Sequence, residues 1–229
     1  VDNIDINAAT SSGVVVMNLP DGNTISAAEH TMSLLSALSR NVHEGHLGLM
    51  KGEWNRHQLV GNELKDKTIG IVGLGKIGRE VMKRALSYDM NVIGHDPFVN
   101  QEMFDPDTIK IVDIDYLTTE SDFITVHVPL IDATRDLFDI NRLKMMKSSS
   151  RIINVARGGI INEKDLSVAL NDGIIAGAAI DVFVKEPIEN DHPFLSTKNL
   201  LITPHLGAST VEAKEGVSKG ICEQVKDYL

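Results

Sequence analysis

The densest chemical signal in the chain is Gly73-Leu74-Gly75-Lys76-Ile77-Gly78. Glycines at this spacing let a strand turn sharply into a helix. Gly73 permits the tight turn, Gly75 leaves room for a pyrophosphate against the backbone, and Gly78 lets helix and strand pack closely. The first N–H groups of the helix then face phosphate oxygens, aided by the helix dipole. The same spacing also describes an ordinary glycine-rich turn, so the context decides. Here the apolar run Ile69–Val72 precedes it, a helical pattern of Ile77, Val81, Ala85 and Tyr88 follows, and Asp96 ends the next apolar run. A carboxylate at that point accepts from a ribose 2′-hydroxyl and repels a 2′-phosphate. The expectation is a dinucleotide site that takes NAD in preference to NADP. Asp96 also precedes Pro97, where its side chain could simply start a turn.

Three further residues suit hydride chemistry on a hydroxy acid. Arg157 precedes Gly158-Gly159 and can fork onto a carboxylate. His205 follows Thr203-Pro204 and can remove a hydroxyl proton while hydride leaves the same carbon. Glu186, in contact with that histidine, would favour imidazolium and hold the ring in orientation. Singly, each has a plain reading: a surface ion pair, a solvated loop acid, an exposed loop histidine. Their joint position after late apolar runs raises the set above its members.

The elements that must position them are legible as short apolar runs: Thr68–Val72, Asn91–Gly94, Phe123–Val126, Arg151–Val155, Ala178–Ile180 and Leu200–Ile202, with a weaker run at Ile109–Val112. None alternates apolar with polar, as expected of parallel strands covered on both faces. Helical stretches separate several of them, including one with Leu166, Ala169 and Leu170 on a face that stops at Gly173. The pattern predicts an α/β fold with a doubly wound parallel sheet, and ligands bind at the carboxyl edge of such sheets. Ser26-Ala27-Ala28-Glu29 reads as a capping box that opens a helix over about 26–42, and Ser209-Thr210-Val211-Glu212 as a second box opening a terminal helix. The turn cluster Pro20–Asn23 marks a domain boundary.

The stretches Thr68–Gly78, Asn154–Gly159, Ala179–Phe183 through Glu186-Pro187, and Thr203–Thr210 together resemble the D-isomer-specific 2-hydroxyacid dehydrogenases, over nearly the whole chain. Within that family, Pro204–Thr210 with Glu212-Ala213, and the opening Val1–Asp5 with Asn18, Gly22-Asn23 and Ser26–Glu29, are most similar to the branch acting on a phosphorylated 2-hydroxy acid, 3-phosphoglycerate. The resemblance implies a catalytic set of Arg157, Glu186 and His205. It implies NAD contacts at Lys76, Ile77, Asp96, Val128, Pro129, Val155, Ala156, Arg157, Asp181, His205, Gly207 and Ala208, beside Gly73, Gly75 and Gly78. Asp181 is implied near the nicotinamide carboxamide; otherwise it caps a turn at its strand end. The resemblance also implies a small-molecule substrate and a homodimer joined through the nucleotide domains, with the 26–42 helix and Trp54 at the interface. Lys76 stands where many relatives carry arginine, and Val128 where many carry threonine. Residues 1–20 are then a remnant of a substrate domain, 21–206 an NAD-binding Rossmann domain, and 207–229 a helix returning toward the substrate domain. Reduction of hydroxypyruvate or glyoxylate, and an NAD-sensing interaction role without turnover, stay open beside the leading reading.

Composition narrows the partners. The chain has 229 residues, 42% apolar and 24% charged, enough apolar material for a substantial core. Its net charge of −10 repels phosphate backbones and anionic membranes, so neither nucleic acid nor membrane is an expected partner. No apolar run approaches the roughly 18 residues of a membrane helix. A single cysteine, Cys222, cannot form an intrachain disulfide, which suits the cytoplasm; on the buried stripe of the last helix it is expected to be inert. His43-Glu44-Gly45-His46 pairs two histidines without a third ligand, so no metal site is expected. His127 ends a strand near the ligand edge and is given a structural role. The chain opens at Val1 without methionine and ends at Leu229 inside a helical pattern. The expectation is a processed chain or a piece of a longer one, binding NAD but turning over its substrate poorly by itself.

Overall fold

The computed structural model describes residues 4–19 and 21–229. Along the chain run α1 (Ile6–Ser11), α2 (Thr24–Ser39), α3 (Val42–Met50), β1 (Thr68–Val72), α4 (Lys76–Ser87), β2 (Asn91–His95), β3 (Lys110–Ile111) and α5 (Ile114–Glu120). They are followed by β4 (Phe123–Val126), α6 (Ile140–Met145), β5 (Arg151–Asn154), α7 (Glu163–Asn171), β6 (Gly177–Ile180), β7 (Leu200–Ile202) and α8 (Val211–Tyr228). The strands form one seven-stranded sheet in the order β3-β2-β1-β4-β5-β6-β7. Every pairing is parallel. The order reverses between β1 and β4, and a crevice opens beyond the carboxyl ends at such a point.

Both faces of the sheet are covered, which explains the unbroken apolar runs. Ile69 and Ile71 of β1 pack with Leu35 and Leu38 of α2 and Val81 and Ala85 of α4. Val72, on the opposite pleat, joins Ile124 and Val126 of β4, Leu143 of α6 and Leu166 of α7. Each fully buried leucine or isoleucine contributes about 1.5–3 kcal/mol relative to exposure.

Several features differ from the sequence-based expectation. The helix expected over about 26–42 spans Thr24–Ser39 and stops short of its expected end, because Asn41 takes a left-handed conformation (φ 51°) ahead of α3. Ser26 does not cap α2, whose N-cap is Asn23; its hydroxyl is buried and donates to the Gly207 carbonyl at 2.8 Å. A long-range acceptor has thus outcompeted the local capping pattern. The final helix begins one residue later than its box suggests, with Thr210 accepting from the Ala213 N–H at 3.1 Å. Cys222 is exposed, not buried. The helix carrying it lies outside the sheet, with Leu19 against Gly220, Gln224 donating to the Asn18 carbonyl at 3.2 Å, and only Ala213 buried.

The glycine turn is shaped by two close approaches. Gly73 has φ +95°, and a Cβ there would lie 2.7 Å from the His127 carbonyl oxygen. A Cβ on Gly78 would lie 2.0 Å from the Gly73 carbonyl oxygen, whereas one on Gly75 would meet nothing within 4 Å. Gly78 is therefore required by the fold, and Gly75 leaves space a ligand can use. Gly78→Ala should cost about 1–3 kcal/mol in a urea unfolding curve, as overpacking does. Gly75→Ala should leave that curve within about 1 kcal/mol of the parent and still weaken dinucleotide binding at least tenfold by calorimetry. Equal loss of stability in both variants would contradict this division.

Candidate functional site

The carboxyl ends of β1, β2, β4, β5, β6 and β7 bring the predicted residues to one edge. At the first, Asp96 braces the glycine turn: its carboxylate accepts from the Leu74 N–H and from the Phe98 N–H, each at 2.9 Å. The turn is further tied by the Gly73 N–H donating to the His95 carbonyl at 2.8 Å. Arg79 donates to the Leu74 carbonyl at 2.9 Å while its guanidinium stands 4.6 Å from the Phe104 ring centre. No side chain caps the N-terminus of α4. Its first N–H groups are left for a ligand, as a pyrophosphate site requires. Lys76, at this helix start, forms an ion pair with Asp21.

Beyond β5, the buried side chain of Asn154 brackets the 155–157 turn. Its oxygen accepts from the Ala156 N–H at 2.9 Å and its amide donates to the Arg157 carbonyl at 2.8 Å. Arg157 itself donates to the Ala156 carbonyl at 2.7 Å. Beyond β7, His205 Nδ1 and Glu186 Oε2 meet at 2.6 Å, and the other glutamate oxygen accepts from the Phe183 N–H at 2.9 Å. His205 takes φ 54°, a left-handed backbone that costs a non-glycine residue of order 1 kcal/mol.

Ile77, Val128, Pro129, Val155, Ala156, Arg157, His205, Gly207 and Ala208 all line one cleft. Asn23 and Ala27 of the α2 start, and His127, complete its wall. Asn23 and Ala27 are not among the site residues expected from the sequence, although both lie in the stretches that carry the family resemblance. Gly73, Gly75, Lys76, Gly78 and Asp96 surround the glycine turn next to Ile77. Glu186 stands behind His205, lining a second, largely apolar cavity with Phe183, Pro187 and Ile188. His205 lines both cavities.

Asp181 is wholly buried beneath the cleft, not in its wall. It accepts from the Leu206 and Gly207 N–H groups at 2.8 Å each and from the Thr203 hydroxyl at 2.5 Å, with His30 Nε2 at 3.2 Å. Burial works against its charge, but the donors His30, Thr203, Leu206 and Gly207 outweigh that and hold its carboxyl below the usual range. The turn-capping reading of Asp181 describes these bonds. Neither His43 nor His46 gains metal partners: among the described residues no group of three histidine, cysteine, aspartate or glutamate side chains could hold an ion. No helix among the described residues is long and apolar enough to cross a membrane.

Residues 32–207 match the family model for the D-isomer specific 2-hydroxyacid dehydrogenase, NAD binding domain. The chain is 45% identical over 230 aligned residues to D-3-phosphoglycerate dehydrogenase of Methanocaldococcus jannaschii, covering 100% of this chain and 44% of that protein. It is 44% identical to the enzyme of the same name from Synechocystis, again over 100% of this chain and 41% of the relative. The chain thus spans less than half the length of these curated relatives. Among solved structures, NAD-dependent formate dehydrogenase of Staphylococcus aureus in complex with NAD superposes with a TM-score of 0.91 at 35% identity, over 100% of this chain and 69% of that one.

One histidine in the cleft is set apart by its surroundings. Burial pushes the His127 pKa down to about 4, and among the described residues its Nε2 meets only the Thr125 hydroxyl, at 3.0 Å. A histidine neutral in the fold and free to protonate near 6.5 when unfolded makes the unfolded chain the better proton binder. Its contribution is complete above pH 6.5 and lost as pH falls through about 4, reaching at most about 3 kcal/mol. Burial also shifts the His43 pKa downward, but that residue is common to parent and variant and cancels in their comparison. Unfolding curves at pH 7, 5.5 and 4.5 should therefore show a smaller acid loss for His127→Gln than for the parent. Parallel losses would contradict the buried, neutral state.

Proposed function

Because the chain belongs to the D-isomer-specific 2-hydroxyacid dehydrogenase family, we propose that its site oxidises the D-2-hydroxy acid 3-phosphoglycerate to 3-phosphohydroxypyruvate, the entry step of phosphorylated serine biosynthesis. NAD is the cofactor of this domain. When bound, it supplies the hydride acceptor. The observation that carries the reading is the 2.6 Å contact of Glu186 with Nδ1 of His205, a histidine that lines one cleft with Arg157. With Nδ1 directed to the carboxylate, Nε2 is the atom that takes the hydroxyl proton. Glu186 is held by the Phe183 N–H, so it fixes the ring's orientation rather than following it. Arg157 holds the substrate carboxylate, and Ile77, Val155 and Ala156 exclude water on the cofactor side. The choice of 3-phosphoglycerate over hydroxypyruvate or glyoxylate is supported by relatives of that name at 45% and 44% identity, against 32% for a solved glyoxylate reductase.

Two organisational proposals accompany it. Residues up to about 20 belong with a substrate domain, and α8 returns to them, as its contacts with Asn18 and Leu19 support. The chain pairs with a second copy through α3 and the loop after it, where Leu47, Leu49, Met50 and Trp54 are exposed. The α2 segment, expected from the resemblance at that interface, has most of its apolar residues buried within the chain.

In steady-state assays of the full protein, His205→Ala should lower kcat by about two to four orders of magnitude while NAD affinity changes little. Glu186→Gln should cost less. Arg157→Lys keeps the charge but loses the planar fork, so KM for substrate should rise as well. Near-normal kcat in His205→Ala would overturn the proposal. On the cofactor side, calorimetry should give tighter binding of NAD than NADP, with Asp96→Ala narrowing the gap; equal or tighter NADP binding by the parent would remove Asp96 from its role.

A further inference from the structure

The turn that carries His205 is held from two directions. From the sheet, the Asp181 carbonyl accepts from the His205 N–H at 2.9 Å, and its carboxylate accepts from Thr203, Leu206 and Gly207. From the other side comes α2. Ser26 donates its hydroxyl to the Gly207 carbonyl at 2.8 Å, a contact closed to water. One helical turn later, His30 Nε2 lies 3.2 Å from Asp181 Oδ1 and 3.3 Å from the Thr203 hydroxyl. The Thr203 hydroxyl donates to Asp181, so the His30 N–H is shared between the carboxylate and the hydroxyl oxygen. Ser26 and His30 are four residues apart and share one helix face. Ala27, between them, lines the cleft.

We propose that Ser26 and His30 are positioning residues: from α2 they clamp both ends of the 203–207 turn and so set the orientation of the His205 imidazole in the cleft. This rests on the reading of His205 as the acid/base. The need for a clamp follows from the backbone. His205 sits at φ 54°, a conformation retained only where surrounding bonds over-determine it. Its ring is about half exposed, with side-chain exposure of 48%, so packing alone does not immobilise it. Glu186 fixes one ring nitrogen, but a ring hinged on a loose turn would carry that bond with it. Without Ser26, the Gly207 carbonyl loses a buried donor. Without His30, the Asp181–Thr203 bond loses its outer support.

The test reads His205 directly in this chain. In imidazole-¹⁵N NMR, with His205→Gln used to identify the signal, the Nδ1–H donated to Glu186 should exchange slowly with water. His30→Phe fills the ring's space without a donor and should speed that exchange at least tenfold while the thermal midpoint stays within a few degrees. His30→Gln, which restores an N–H, should return it toward the parent value. Ser26→Ala should act like His30→Phe, and Ser26→Thr like the parent. Unchanged exchange in both donor-deleting variants overturns the proposal. So does faster exchange at every protected histidine in step with a fall in the midpoint, since that reports a general loosening. If His30→Phe fails to fold, Ser26→Ala against Ser26→Thr decides by the same criteria. Failure of the parent chain to bind NAD would count against the dehydrogenase reading and leave this measurement intact.

Discussion

A buried carboxylate is costly unless every lone pair facing the interior finds a donor, and Asp181 meets that condition with four. Two of the donors are backbone N–H groups two and three residues past Pro204, so satisfying Asp181 requires the chain after β7 to curl back over the end of β6. The curl puts His205 at the crest of the turn with its amide on the Asp181 carbonyl. The shape of this carboxyl edge of the sheet depends on this one group. The bonds of Leu206 and Gly207 bring the Gly207 carbonyl under Ser26, and Gly207 and Ala208 into the cleft wall beside Val155. The loop between β6 and β7 then presents Glu186 to the same imidazole from the far side.

The parallel sheet explains why such groups gather at strand ends. Its central strands are covered on both faces, so their interiors tolerate almost nothing polar; Thr125, Asn154 and Asp181 are the buried polar groups within or immediately after β4, β5 and β6. Asn154 does for the 155–157 turn what Asp181 does for 203–207, with a neutral amide that both donates and accepts. Asp96 does the same for the glycine turn. Three loops at this edge are thus shaped by a side chain at the end of the preceding or neighbouring strand, before any ligand enters.

The parts legible in the sequence are those whose physics is local. Strand composition and the glycine spacing declared the parallel sheet and its strand–turn–helix opening, because each depends on residues close in the chain. Ser26 shows where that reading fails. As a hydroxyl three residues before Glu29 it carries every mark of a helix cap, yet its partner, the Gly207 carbonyl, lies 181 residues away. Asn41 ends α2 early through a left-handed backbone that no apolar periodicity reports. Cys222 looks buried in the sequence because α8 is amphipathic, but most of the helix lies off the sheet with little to cover it. His30 carries no signal at all, since a histidine on a buried helix face is read as packing until its acceptor is known.

His127 and His205 show how one residue type is divided between two tasks at a single edge. Both line the same cleft, at the ends of β4 and beyond β7. His127 is partly covered at the cleft wall, and among the described residues only a threonine hydroxyl lies beside its ring, so nothing offsets the desolvation of a positive charge and the imidazole stays neutral. His205 is half exposed and has a carboxylate against Nδ1, so a proton arriving at Nε2 finds its charge met at once. The first histidine can serve only as wall and polar contact. The second has the surroundings that the proposed acid/base role calls for. What separates them is the Glu186 side chain and the turn that keeps His205 against it, which returns the chemistry of the site to the bonds that Asp181 makes one layer below.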